Sequence, residues 1–195
     1  MEAFVALLRG INVGRGNRVP MAGFRTLLEQ QGYEQVSTLL NSGNAVFCAP
    51  SGIGGMAHKA ISHALVETFG ISVPVIVKSA PQFAAVVAAN PYAVAEPSRL
   101  LVALASRAED LNALAALEPL LSPSEALHIA EHAAYLHCPA GVSASKAASS
   151  LLGKLGRGVT TRNWSTVLKI AAALSRLPAG NPSRPNPLRG TASLT

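Results

Sequence analysis

An apolar run over residues 3–8 leads directly into Arg9-Gly10-Ile11-Asn12-Val13-Gly14-Arg15-Gly16-Asn17-Arg18, and an amphipathic segment begins near Met21. Glycines let a loop turn its N–H groups toward one point, arginines supply planar forks of donors, and a helix start adds partial positive charge. The combination suits an anion such as phosphate or carboxylate. Arg9, Gly10, Asn12, Arg15 and Arg18 are the candidate ligand-binding residues of this segment. Two further groups offer similar chemistry. Asn41-Ser42-Gly43-Asn44 has the composition of a tight turn, and Thr160-Thr161-Arg162-Asn163-Trp164 sets hydroxyls, a guanidinium and an amide just before a helical stripe. With Lys146, which precedes another such stripe, they add Asn41, Ser42, Asn44, Lys146, Thr161, Arg162 and Asn163 to the candidates. A structural reading fits the same residues: glycines for turn geometry, asparagines for loop carbonyls, Ser and Thr as helix caps.

Sharper motifs are not met. Gly14 and Gly16 follow a strand-like run, but Val19 stands where a dinucleotide fingerprint needs its third glycine. Lys146 lacks the preceding glycine and following hydroxyl residue of a phosphate-binding Walker loop. Ser143-Ala144-Ser145-Lys146 has the serine–lysine spacing of penicillin-binding enzymes, yet no Lys-Thr-Gly accompanies it, and a helix cap explains it better. The histidines show no metal-ligand spacing, and no carboxylate pair sits inside a basic loop, so neither a metal nor a cofactor is expected. Trp164 reads as a core anchor. The segment Ala45 to Cys48 offers only Phe47 where a single-stranded-RNA module needs stacking aromatics.

The elements that would position these residues follow from periodicity. Residues 3–8 read as a strand, Met21, Phe24, Leu27 and Leu28 as one helical face closed by Gly32, and Val36 to Leu40 with Ala45 to Cys48 as a hairpin. A helical pattern from Ile53 to Phe69 and a strand from Val73 to Val77 complete a βαββαβ order. After a helix near 81–89 and a break at Asn90-Pro91 the order returns: a strand at 100–105, a helix through Leu111, Leu114 and Leu117, a hairpin at 126–130 and 134–138, a helical stripe from Ala147 to Leu155, a short strand about Val159, and a terminal helix from Trp164 to Leu174.

With these motifs in place, the chain resembles the bacterial family catalogued as domain of unknown function 1697, over roughly residues 3 to 177. The segments that carry the resemblance are Ala6 to Pro20, Asn41 to Asn44 and Thr160 to Trp164. Members of that family carry a second glycine and an arginine where this chain has Ser143 and Ala144, which weakens a phosphate role for residues 141–146. The resemblance implies an α+β fold of two ferredoxin-like (βαββαβ, alpha-beta plait) units, the second with an added C-terminal helix, as the periodicity also indicates. The expected units are residues 1–79 and 80–177, with 178–195, rich in proline and without periodicity, as a disordered tail.

Composition bounds the function. Of 195 residues 49% are apolar and 13% charged, which excludes a disordered chain, and no apolar run reaches the length of a membrane span. A cytoplasmic protein with reduced Cys48 and Cys138 is expected. The net charge of +6 is segregated: residues 3–28 hold four arginines and no acid, and residues 132–195 hold eight Lys/Arg and no acid. Such patches suit anionic partners, nucleotide or nucleic acid among them.

In a ferredoxin-like sheet the first strand is central, and its C-terminal end shares an edge with the turn joining strands two and three. Arg9 to Arg18, Asn41 to Asn44 and the first helix start should therefore meet at one edge, and Lys146 with Thr160 to Asn163 at a corresponding edge of the second unit. The expected function is binding of an anionic or phosphorylated ligand there. The alternatives are an enzyme acting on a small anionic substrate at the same edge, assisted by a residue of 41–44, or a pure interaction module. Replacing Arg9 or Arg162 by Ala should weaken the ligand and leave stability nearly unchanged.

Overall fold

In a computed structural model, which describes residues 1–12 and 16–178, the chain forms two four-stranded antiparallel sheets and six α-helices. The first sheet uses β1 (Glu2–Leu8), β2 (Glu34–Leu39), β3 (Asn44–Ala49) and β4 (Val75–Ser79) in the order β2-β3-β1-β4. Helices α1 (Met21–Gln30) and α2 (Gly54–Phe69) make its crossovers. The second sheet uses β5 (Leu100–Ala105), β6 (Ala126–Ile129), β7 (Ala133–His137) and β8 (Val159–Asn163) in the order β6-β7-β5-β8. Its crossovers contain α4 (Ala108–Asn112) and α5 (Lys146–Leu152). Helix α3 (Ala80–Ala88) joins the two halves, and α6 (Trp164–Leu174) follows the last strand.

The packing is layered. Side chains alternate across a strand, so β1 sends Phe4, Ala6 and Leu8 to the α1–α2 side, and Ala3, Val5 and Leu7 to the other. Those latter residues meet α3 and α6, which also cover Leu100, Val102 and Leu104 of β5. The remaining face of the second sheet packs on α4, α5 and the turns between them. Each sheet is thus covered on both faces, which explains why β1, β3 and β5 read as near-continuous apolar runs. Tyr135 crosses the central layer with its hydroxyl donating to the Val86 carbonyl, so its polar end is satisfied inside apolar packing.

Two expectations shift for physical reasons. The helix through Leu111, Leu114 and Leu117 is α only as far as Asn112 and continues as a 3-10 helix over Ala113–Leu120. Leucines three apart eclipse on one face when a turn holds three residues, and all three are buried. The stripe ending at Leu155 stops as helix at Leu152, and a Cβ on Gly156 would lie only 1.7 Å from the Leu151 carbonyl oxygen. Cys48 and Cys138 are buried free thiols. The tail from residue 179 and the Arg15 candidate lie outside the described residues.

Candidate functional site

The end of β1 is held between two segments distant in sequence. The Leu8 N–H donates to the Gly43 carbonyl at 2.8 Å and the Arg9 N–H to the Pro74 carbonyl at 3.1 Å. Gly43 is fixed twice over: its φ is +74°, and a Cβ there would stand 2.6 Å from the Leu8 Cβ. Leu40 at the start of the same turn also takes a left-handed conformation, as do Gly10, Asn12 and Asn17 in the loop after β1.

Asn12 clasps that loop. Its N–H donates to the Asn17 carbonyl at 3.0 Å, its Oδ1 accepts from the Val19 N–H at 3.0 Å, and its Nδ2 donates to the Val19 and Asn41 carbonyls, each at 2.9 Å. The loop and the 40–43 turn are thereby joined, as the expected edge requires. Between them lies a recess of about 340 Å³ lined by Asn12, Arg18, Val19, Pro20, Met21 and Asn41. The first turn of α1 opens onto it, with Pro20 at the cap position, no side-chain cap and no acidic residue. Arg18, Asn41, Ser42 and Gly10 are exposed and Arg9 half-buried, and Arg9 has no side-chain partner among the described residues.

Beneath this edge sits Arg162, only 7% exposed. Its five N–H donors all reach neutral oxygens: Nε to Asn44 Oδ1 at 2.6 Å, one terminal nitrogen to Thr160 Oγ1 and the Thr161 carbonyl at 2.9 and 2.8 Å, the other to the Leu8 and Ser42 carbonyls at 2.9 and 2.8 Å. No carboxylate pairs with it among the described residues, and desolvation pushes its pKa down to about 10, still protonated at neutral pH. Asn44, wholly buried, spends its remaining amide hydrogens on the Leu39 carbonyl and Ser42 Oγ, both at 3.0 Å.

The arrangement corrects part of the expected site. Arg162 and Asn44 have no donors left for a ligand, so they build the edge rather than line it. The second expected cluster is divided by strand parity. Arg162 pairs with Val102 and Thr160 with Leu104, both in the central layer, whereas Thr161 pairs with Ala103 on the outer face. Lys146 is exposed at the start of α5, whose buried residues pack in that outer layer. Asn163 caps α6, its Oδ1 accepting from the Thr166 N–H at 2.9 Å and the Ser165 hydroxyl at 3.0 Å. Ser145 caps α5 in the same way. No group of three or more potential metal ligands occurs among the described residues.

A residue that the sequence reading passed over is Lys78, which is 7% exposed. Its signal was its place in Val75-Ile-Val-Lys-Ser79: two residues after Ile76 on a strand, it shares that residue's buried face. It pairs with Val5 of the central layer.

A family model described as Protein of unknown function (DUF1697) matches residues 1–135. The chain belongs to this family. The family match takes in the 9–20 loop, the 40–43 turn and Lys78, and stops short of Arg162. The fold is similar to the solved structure of a conserved bacterial protein from Streptococcus pneumoniae, with a TM-score of 0.76 at 24% identity, covering 89% of this chain and 98% of the other. A comparison with curated proteins gives no match.

Proposed function

We propose that this protein binds an anionic, phosphorylated ligand in the recess between the 9–20 loop and the 40–43 turn. The observation that carries the reading is Arg162. A guanidinium satisfied only by neutral oxygens keeps its full charge, and in a poorly polarisable interior that charge is weakly screened. Its field reaches solvent at the edge where Arg9, Arg18 and the uncapped start of α1 already lie. A segment without acid from residue 3 to residue 28 leaves nothing on it to oppose that field. A phosphate there would take charge-assisted bonds from Arg18 and main-chain bonds from α1, with Arg9 adding positive charge from the neighbouring end of β1.

Each half of the chain reads as a ferredoxin-like plait, residues 1–79 and 80–177, the second extended by α6. Single-stranded RNA modules of similar topology bind on an open sheet face. Here both faces of both sheets are covered, so a nucleotide or polynucleotide would be held through its phosphate at the edge. An enzymatic role for Asn44 is disfavoured by its complete hydrogen bonding to Arg162, Leu39 and Ser42. No helix among the described residues is long and apolar enough to cross a membrane, and a cytoplasmic location with reduced thiols belongs to the same reading.

The test is calorimetric titration with nucleoside mono-, di- and triphosphates, and fluorescence anisotropy with single- and double-stranded oligonucleotides at several salt concentrations. The doubly substituted R9A/R18A protein should lose about tenfold or more in affinity at unchanged melting temperature. Polynucleotide binding should weaken steeply with salt as counterions are released. Equal affinity of the substituted and unsubstituted proteins would refute the assignment.

A further inference from the structure

On another side of the molecule, Lys78 lines a recess of about 210 Å³ with Gly55 and His58 of α2, Val77, Gln82 of α3, and Ala105 and Ser106 at the end of β5. It draws walls from both sheets and from the helix that joins them, the kind of seam in which ligand sites occur. Two observations made independently point to the same chemistry. The first is the lysine. It is more than nine-tenths buried and has neither a hydrogen-bond nor an ion-pair partner among the described residues. Among the described residues no wholly enclosed side-chain nitrogen or oxygen lacks a partner, so the Nζ of Lys78 keeps some of the little surface that the residue still exposes. Lys78 is among the residues that line the recess. The other lysines, at 59, 146, 154 and 169, are all exposed.

The second observation is the start of α2. This helix runs for 16 residues, and its first turn has no side-chain cap and no acidic residue. Gly55 and His58 of that opening stretch form one wall of the recess, so the partial positive charge of the helix start borders the same space that Lys78 lines. Gln82 is oriented there by its own capping role: its Oε1 accepts from the Ser79 N–H at 3.0 Å, which leaves its amide hydrogens for a ligand. The Ser106 hydroxyl completes a set of donors, with no carboxylate among the lining residues.

We propose that this recess is a second ligand site, which takes a small oxyanion, phosphate or carboxylate, between the Lys78 ammonium and the first turn of α2. A buried ammonium with no counter-charge is unfavourable, and a bound oxyanion would supply both the missing charge and the missing acceptors. The volume, several times the roughly 30 Å³ share of one water, admits such an ion with little more attached.

The test uses the full chain, with inorganic phosphate and acetate as separate probes, and follows the melting temperature and the Cε signals of protein labelled with ¹³C-lysine. Phosphate, acetate or both should raise the melting temperature saturably and shift the Lys78 signal over the same concentration range. The K78M protein should be at least as stable without the probe and should lose about tenfold or more of the response. The two probes decide between a phosphate and a carboxylate ligand. If K78M fails to fold, the Lys78 signal in unsubstituted protein decides, and a signal indifferent to both ions overturns the proposal. The R9A/R18A protein separates this site from the loop edge. A response kept there supports the Lys78 site, whereas one lost there and kept in K78M assigns all binding to the edge and overturns it.

Discussion

Arg9 and Arg162 look alike in the sequence and differ in everything that decides the effect of a substitution. Arg162→Ala would strand the acceptors of Asn44, Leu8 and Ser42 in a buried space, at about 1–3 kcal/mol for each that water cannot reach. We expect a loss of roughly 3 kcal/mol or more in urea denaturation, against about 0.5 kcal/mol or less for Arg9→Ala. This reverses the expectation from sequence for Arg162 and retains it for Arg9. Lys78 gives a test in pH. Burial lowers its pKa below that of the unfolded chain. Between the two values the unfolded state binds more protons, so stability rises with pH there. The destabilisation by the buried ammonium is therefore complete below the folded pKa and is relieved as pH climbs toward the unfolded value of about 10.4. Hence the advantage of Lys78→Met over the unsubstituted protein should be largest near neutrality and shrink toward pH 10, measured by denaturant midpoints without added anions. His58 lines the same recess, so the H58A background should be measured in parallel.

Among the elements, α1 shows how a helix start can be left available. Pro20 supplies extended backbone but no side-chain oxygen, and its ring keeps that conformation in place. Pro20→Asp would install an intramolecular carboxylate on the first turn. The new cap should contribute about 0.5–1 kcal/mol, offset by a similar loss of proline rigidity. Melting temperature should thus barely move, while phosphate-ligand affinity at the loop edge falls about tenfold in calorimetry. Undiminished affinity would show that the start of α1 takes no part. The strand β8 makes the complementary point. Its alternation sends Thr160 and Arg162 inward and Thr161 outward, so three adjacent residues of one motif serve two different layers.

For the molecule as a whole, the central layer is common property of both halves: Val5, Leu7, Val46 and Ile76 from one sheet, Val102, Leu104 and Tyr135 from the other, with α3 and α6 among them. Separating the halves would expose that layer on both. Arg162 adds a polar tie across the same boundary. We expect a single calorimetric transition with equal van't Hoff and calorimetric enthalpies. Two resolved transitions would show that the halves unfold independently in spite of their shared packing.

Much of this was legible along the chain because it depends on local chemistry. Periods of 2 and 3.6 place the strands and helices. The Asn41 to Asn44 turn and the Gly10 to Arg18 loop declare themselves through residues that tolerate positive φ, and the missing fingerprints dismiss dinucleotide and Walker-type sites. Even the convergence of the loop and turn follows from element order. What the chain could not disclose is which polar groups were already spent. Whether Asn44 faces a ligand or Arg162, and whether Arg162 reaches its own sheet edge or that of the other half, depends on partners 118 to 154 residues away. Only the packing of one sheet against the other decides that. The same packing enclosed Lys78, whose strand position indicated burial but whose lack of a counter-charge is a property of walls drawn from three separate elements.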